Sequence, residues 1–356
     1  MLSRARLILL SGVAGAGTTT ITAATAAALR AEGLQVEVID ASEPLAPDQS
    51  VVDRLTSSVG RVFAELGADP VLADVWATLP GITHLSVLAR IGRAMTDGSV
   101  DTIVVDAGDH RQARELVELP GVLLRLLDAA LTPRLAMRRS ADPVSGDSPS
   151  LFEALSDVRL DVVRMAQGLA HPSTTMRLVT IPEASAIART ERSAAAFAML
   201  GIAVDGIVVN RFPRKAEGGP KGLVANAEAL MAALVERVDG VAVWSSTSKV
   251  RPAPKGRSAM GPLGRVSVLD AEQLTVIVGD EEFRLDVPLA GPARQGATIG
   301  VQGDHLIVAF DGAMRWLALP PVLRRCIATH ADRSTAGLRV AFVPDPASWR
   351  EPAAAS

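Results

Sequence analysis

The chain has 356 residues, 48% hydrophobic and 21% charged, with a net charge of −3. That length predicts two domains with their own cores, and that charge excludes charge-driven binding to nucleic acid. Its single cysteine, Cys326, excludes an intrachain disulfide framework, a thiolate zinc cluster or an iron–sulfur site built from this chain alone, and the absence of tyrosine, with 3% aromatics, argues against a base- or sugar-stacking surface.

The N-terminus opens with a basic start and the apolar run Leu7-Ile-Leu-Leu10, a superficial likeness to a secretory leader. The run is too short for one, and Gly12, Gly15, Gly17 and Thr18 to Thr20 follow it at once. No other stretch reaches the apolar length of a membrane span, so a cytoplasmic protein is expected. Arg6 to Leu10 read as a buried strand, residues 18–31 as a helix stopping before Gly33, and Gln35 to Ile39 as a strand ending at Asp40. Further apolar runs at Thr102–Val105, Met176–Thr180 and Ala203–Val209 are followed by Asp106, Glu183 and Asn210. This alternation predicts an α/β domain, a mostly parallel sheet with helices on both faces. Ligands of such sheets sit at the carboxyl ends of the strands, which singles out Asp40, Asp106 and Asn210.

Between the first strand and helix lies Gly12-Val-Ala-Gly15-Ala-Gly17-Thr18-Thr19. A phosphate loop reads G-x-x-x-x-G-K-[ST], in which backbone N–H groups cradle phosphate, the lysine neutralises it and the hydroxyl meets magnesium. The framing glycines and Thr19 are in place, with Thr18 where the lysine belongs. Only four lysines occur, and none precedes Lys215. A tight turn that packs a helix on a sheet would use the same glycines.

Taken in order, these segments resemble the ArsA/GET-type ATPases, a P-loop family of arsenite-pump and membrane-protein-targeting ATPases with a deviant Walker A loop. The family's K-G-G-V-G-K-T-T aligns on Val13-Ala-Gly15-Ala-Gly17-Thr18-Thr19-Thr20. Val36-Glu-Val-Ile-Asp40-Ala-Ser is similar to its first switch, and Val104-Val-Asp106-Ala-Gly-Asp with Glu115-Leu-Val-Glu-Leu-Pro120 to its second. Arg177-Leu-Val-Thr-Ile-Pro182-Glu183 resembles the V-x-x-P-E segment, and Val208-Val-Asn210-Arg211 the element that meets the nucleotide base. The resemblance implies that Gly12, Gly15, Ala16, Gly17, Thr18, Thr19, Thr20, Asn210 and Arg211 line a site for ATP or ADP. It implies magnesium at Thr19 and Asp106, and a water-positioning role for Asp40.

The departures bear on chemistry. Val13 stands where the family has a lysine that crosses a dimer, Thr18 replaces the loop lysine, and Asp109 replaces the second-switch proline. An acid there would repel phosphate unless paired, for instance with Arg111 or Arg114. Removing a preorganised cation from a phosphoryl-transfer site costs on the order of a thousandfold in rate. Hydrolysis is therefore expected to be weak or absent, while binding of ATP or ADP with Mg2+ stays open, from possible to weak or lost, since backbone cradling and the helix N-terminus still favour an anion. The alternative is an active ATPase in which an arginine or a partner subunit replaces the lysines. The family's zinc-binding C-x-x-C is missing, so no zinc is expected.

Leu151-Phe-Glu-Ala-Leu155, Val158, Leu160 and Val162 to Met165 show apolar residues near helical spacing, either core or part of a client groove. Lys249 to Arg265, punctuated by Pro, Lys, Gly and Arg, reads as a linker. Beyond it come short alternating runs at 265–269, 274–278, 283–287, 298–301, 305–310, 314–319 and 338–342, with Gly279-Asp, Gly303-Asp and Asp311-Gly as turns. They predict a β-sandwich. Val287-Pro-Leu-Ala-Gly291, Leu319-Pro-Pro-Val-Leu-Arg-Arg-Cys326 and Gly337-Leu-Arg-Val340 resemble the HSP20/α-crystallin-like domain that some ArsA-type proteins carry. The expected organisation is thus a P-loop domain over 1–248, a linker over 249–264, the sandwich over 265–346 and a tail. The five histidines show no metal-ligand spacing. The resemblance implies a homodimer, or a heterodimer with an intact ArsA-family ATPase, acting on a hydrophobic or membrane-associated partner.

Overall fold

The computed structural model describes residues 5–42, 82–130, 151–214, 220–238, 240–247, 274–279, 282–289, 291–334 and 337–346. In chain order, β1 (Arg6–Gly12), α1 (Thr18–Ala31), β2 (Val36–Asp40), α2 (Ile82–Asp97), β3 (Thr102–Asp109), α3 (His110–Ala130), α4 (Leu151–Leu169), β4 (Thr174–Thr180), α5 (Ala184–Leu200), β5 (Ala203–Val209), α6 (Lys221–Arg237) and β6 (Ala242–Ser245) come first. The six strands form one sheet in the order β2-β3-β1-β4-β5-β6. Its β1–β3, β2–β3 and β5–β6 pairs are parallel. β1 and β3 are near-continuous apolar runs because both strands are buried: Leu7, Ile8, Leu9, Leu10, Ile103, Val104 and Val105 are all fully shielded. α1 spans the predicted residues and stops where Gly33 takes φ +88°. α3 continues through Pro120, giving up one backbone hydrogen bond there.

The described chain divides into two compact units, with the boundary between Thr175 and Met176. The first holds the glycine loop and the ends of β2 and β3. In the second, Arg177 of β4 and Asp205 of β5 form a two-pronged ion pair at 3.1 and 2.9 Å, both side chains almost wholly buried. The Trp244 ring of β6 lies 5.3 Å from the Arg177 guanidinium carbon. A side chain on Gly206 would run into that ring, so glycine is required there by the close approach.

The second unit continues with β7 (Thr275–Val278), β8 (Phe283–Pro288), the helical turn α7 (Ala293–Gly296), β9 (Thr298–Gln302), β10 (His305–Phe310), β11 (Ala313–Ala318), a 3-10 turn over Pro321–Arg325, β12 (Cys326–Arg333) and β13 (Gly337–Pro344). They form sheets ordered β11-β10-β9 and β12-β13-β8-β7. Alternate residues Leu285, Val287, Leu306, Val308, Leu338, Val340 and Phe342 fill the space between them. Asp311 and Gly312, both at positive φ, make a two-residue reversal between β10 and β11, as Asp-Gly predicts. Ala195, Ala196 and Met199 of α5 belong to the same apolar core as the sandwich residues.

Two strands were not legible as apolar runs. β6 has only four residues, and β12 is an edge whose residues are mostly exposed. The strand expected at 265–269 and the linker lie outside the described residues. No described helix is long and apolar enough to cross a membrane.

Candidate functional site

The site of the first unit grows from the end of β1. Pairing with β3 runs through Leu10 opposite Asp106, slips by a bulge, and resumes with Gly12 opposite Asp109. The chain then turns: the Ala16 N–H donates to the Val13 carbonyl at 2.8 Å, with Gly15 at φ +77° and Gly17 at φ +85°. Both conformations are open to glycine and strained for other residues. Gly17 caps α1 without a side-chain hydrogen bond, and no acid stands in the first turn. The first intrahelical bond comes from the Ile21 N–H to the Gly17 carbonyl at 3.1 Å. The amides of Thr18, Thr19 and Thr20 thus form the partly positive end of α1, a place that favours an anion.

Thr19 and Thr20 are exposed, Thr18 is half-buried, and Ala16 is fully buried. The Thr18 carbonyl accepts from the Thr22 hydroxyl at 3.0 Å. Val13 is 6% exposed, so its side chain is part of the core and offers no group to a partner.

Asp40 and Asp106 are register neighbours on β2 and β3. Asp40 Oδ1 accepts both the Ser42 N–H at 2.9 Å and the Ser42 hydroxyl at 2.6 Å. Asp106 is 2% exposed; its Oδ1 accepts the Gly108 N–H at 3.0 Å, and its Oδ2 has no hydrogen-bond partner among the described residues. Burial pushes the Asp106 carboxyl above the ordinary aspartate value. The Thr19 hydroxyl and the Gly108 N–H draw it down, and the Asp40 charge raises it further.

A buried carboxylate oxygen without a partner, beside a threonine hydroxyl and a second carboxylate, fits a hard divalent cation that completes its shell with water and phosphate. Asp106, Thr19 and Asp40 are the residues that would hold it. Bound there, the cation would supply positive charge to phosphate oxygens. No group of three or more His, Cys, Asp or Glu side chains suited to an all-protein metal cage occurs among the described residues.

Asp109 plays a different part from the one its charge suggests. Its Oδ1 accepts the N–H groups of Arg111 and Gln112, both at 2.9 Å, while Gln112 Oε1 accepts the Asp109 N–H at 2.9 Å. That reciprocal pattern is a capping box at the start of α3. Arg111 and Arg114 turn to Glu115 and Glu118, at 3.6 and 3.9 Å. Ser11, wholly buried before the loop, shares a 3.0 Å hydrogen bond with His110 Nδ1 at the head of α3. The Asp109-x-x-Gln112 box was readable from spacing; the Ser11–His110 pair, 99 residues apart, carried no sequence signal.

Asn210 and Arg211 follow β5 in the second unit. Asn210 is buried, and its N–H donates to the Thr180 carbonyl at 2.8 Å. Arg211 is exposed with φ 54°, left-handed for a non-glycine residue.

Residues 32–218, more than half of the chain, match the family model for anion-transporting ATPases. The chain belongs to that family. Within this anion-transporting ATPase family, the match opens after the glycine loop and takes in Asp40, Asp106, Asn210 and Arg211. An uncharacterized protein of Streptomyces coelicolor is 26% identical over 97% of this chain and 99% of its own length. A putative arsenical pump-driving ATPase of Aquifex aeolicus is 24% identical over 58% of this chain and 63% of its own. An ATPase ASNA1 homolog of Trypanosoma cruzi is 30% identical over 46% and 48%. The chain thus spans less than two thirds of these two ATPases.

Proposed function

We propose that this chain is a nucleotide-binding member of the anion-transporting ATPase family whose phosphate loop has lost efficient hydrolysis, a pseudo-ATPase. The observation that carries the reading is the α1 N-terminus: an uncapped, acid-free helix end beside Thr19 and Asp106, with Thr18 in the place of the lysine. Phosphate can still be cradled by backbone amides and a cation. The side-chain charge that would follow the transferring phosphoryl group is gone. The deviant loop and the buried Val13 support the same reading.

The biological role we infer is that of a chaperone or targeting component for a hydrophobic or membrane-associated partner, as a homodimer or with an intact ArsA-family ATPase. The antiparallel sandwich, read as an HSP20/α-crystallin-like domain, would serve that role. With Cys326 as the lone cysteine, thiolate capture of arsenite is disfavoured.

Calorimetric titration with ATP and Mg2+, run beside a phosphate-release assay, tests the proposal. Micromolar binding without release is expected, and Thr18→Lys should change turnover little. The relatives named as ATPases favour a second reading, an active enzyme. Release that vanishes in Asp40→Asn would establish that reading and overturn the first.

A further inference from the structure

The sheet ordered β12-β13-β8-β7 gathers charge on its outward face. Leu285, Val287, Leu338, Val340 and Phe342 point into the sandwich core, so the alternate residues Arg284, Asp286, Arg339 and Ala341 fall on the opposite face. Register sets them in two rows across the strands: Asp332, Arg339 and Asp286 in one, His330, Ala341 and Arg284 in the other. The single methyl of Ala341, between two longer side chains, leaves a hollow in the second row. A cavity of about 490 Å³ lies there, lined by Arg284, Arg333, Arg339, His330, Glu282 and Asp332 around Ala341.

Two of these arginines are pinned. Arg339 reaches Asp286 by two prongs at 2.6 and 2.9 Å, and Arg284 Nε donates to Glu282 Oε1 at 2.7 Å. Each pair engages one side of a planar guanidinium and leaves further N–H groups on the fork. Arg333 is exposed, with no side-chain ion pair or hydrogen bond among the described residues. With His330 uncharged, the three arginines exceed the two lining acids by one positive charge. A monoanion matches that excess. A phosphomonoester, at about −1.5 to −2 near neutrality, overshoots it and presses negative charge on Glu282 and Asp332. Oriented guanidinium forks also suit the two coplanar oxygens of a carboxylate.

We propose that this cavity binds a carboxylate, carried by a small molecule or by a residue of a protein segment. Arg333 supplies the counter-charge, and Arg284 and Arg339, held by Glu282 and Asp286, supply oriented donors. All the lining residues belong to the second unit, so the inference stands whether or not the glycine loop of the first unit takes nucleotide.

Titrations of the full chain, followed by the arginine side-chain N–H resonances, test the inference. The probes are N-acetylglycine, its uncharged amide, inorganic phosphate and a blocked peptide with one central glutamate. N-acetylglycine should shift the Arg284, Arg333 and Arg339 signals saturably, and its amide should not. Arg333→Gln should weaken binding at least about tenfold, as loss of one charged hydrogen-bonding group implies. Ala341→Leu, which fills the hollow, should abolish it; Ala341 is buried, so the exposed Arg333 variant decides the matter if the leucine variant does not fold. Tighter binding of the peptide than of N-acetylglycine assigns the carboxylate to a protein partner, and the reverse order to a free small molecule. Phosphate bound more tightly than N-acetylglycine would overturn the choice of carboxylate. Equal response to the amide, no saturable response to any probe, or unchanged affinity in a folded Arg333→Gln would remove the site.

Discussion

The Arg315 guanidinium on β11 donates to the Met199 carbonyl at 3.0 Å and lies over Gly201, which ends α5 in a left-handed turn at φ +92°. A cation thereby meets the negative end of a helix, and the missing Cβ of Gly201 makes room for it. Met199 also points into the core shared with the sandwich, and Arg192 reaches Asp311 in the β10–β11 turn at 3.4 Å. α5 and the sandwich therefore share one core rather than meeting as separate modules. Gly201→Ala should lower stability by about 1–3 kcal/mol, combining backbone strain with displacement of the guanidinium. Arg315→Ala should cost about 1 kcal/mol. Urea denaturation of both variants checks this, followed by fluorescence in backgrounds that keep Trp316 alone or Trp244 alone of the chain's four tryptophans. Separate transitions for the two tryptophans would contradict a shared core.

The Arg177–Asp205 pair gives a larger expected effect. Two prongs and the Trp244 ring satisfy a guanidinium that is 4% exposed. Asp205→Ala leaves that charge buried without its counter-ion and should cost about 3–5 kcal/mol. Replacing both residues with leucine-sized apolar side chains should recover most of the loss, because the cost lies in the orphaned charge. Denaturant midpoints of the single and double variants measure the difference.

What the sequence revealed follows the range of the forces involved. α1 was bounded by glycines at both ends, and β1 and β3 by continuous apolar runs, so local chemistry fixed them. The Asp311-Gly312 reversal was legible for the same reason. Arg177 and Asp205 are charged positions within apolar strands, and only their pairing across adjacent strands explains them. Ser11 with His110, and Arg315 with Gly201, are likewise contacts between distant segments. β12 escaped because an exposed edge strand needs no apolar alternation. At the site, the family resemblance put Asp40, Asp106 and Thr19 forward as an expectation and placed Asp109 as a charge near phosphate, whereas the Asp109 carboxylate is spent on the helix that follows.

That cap carries its own expectation. Asp109→Ala removes an acceptor from two amides of the first turn of α3, and should cost about 0.5–2 kcal/mol. Asp109→Asn or Asp109→Ser should restore most of it, since both are good N-caps. Gly108→Ala should be harmful for a separate reason: at φ +70° a Cβ would strike the Gln112 side chain that completes the box. Thermal melts of the four variants rank these effects. An Asp109→Ala variant as stable as wild type would show that the box does not hold α3.

Asp106 makes stability depend on pH in an uncommon direction for an aspartate. Its carboxyl is raised in the fold, chiefly by burial, so the folded chain holds that proton more tightly than the unfolded chain. Stability from this group is therefore greatest below the ordinary aspartate value and is lost as the pH climbs through the interval up to the raised value. In metal-free buffer, Asp106→Asn should be more stable than wild type near neutrality, and the gap should close as the pH falls toward ~4. Adding Mg2+ should stabilise wild type and leave the asparagine variant unmoved, reversing the order at neutral pH. Urea midpoints at both pH values, with and without Mg2+, separate the two contributions. A wild type that gains stability with rising pH in EDTA would mean that Asp106 is held charged by a partner other than a metal.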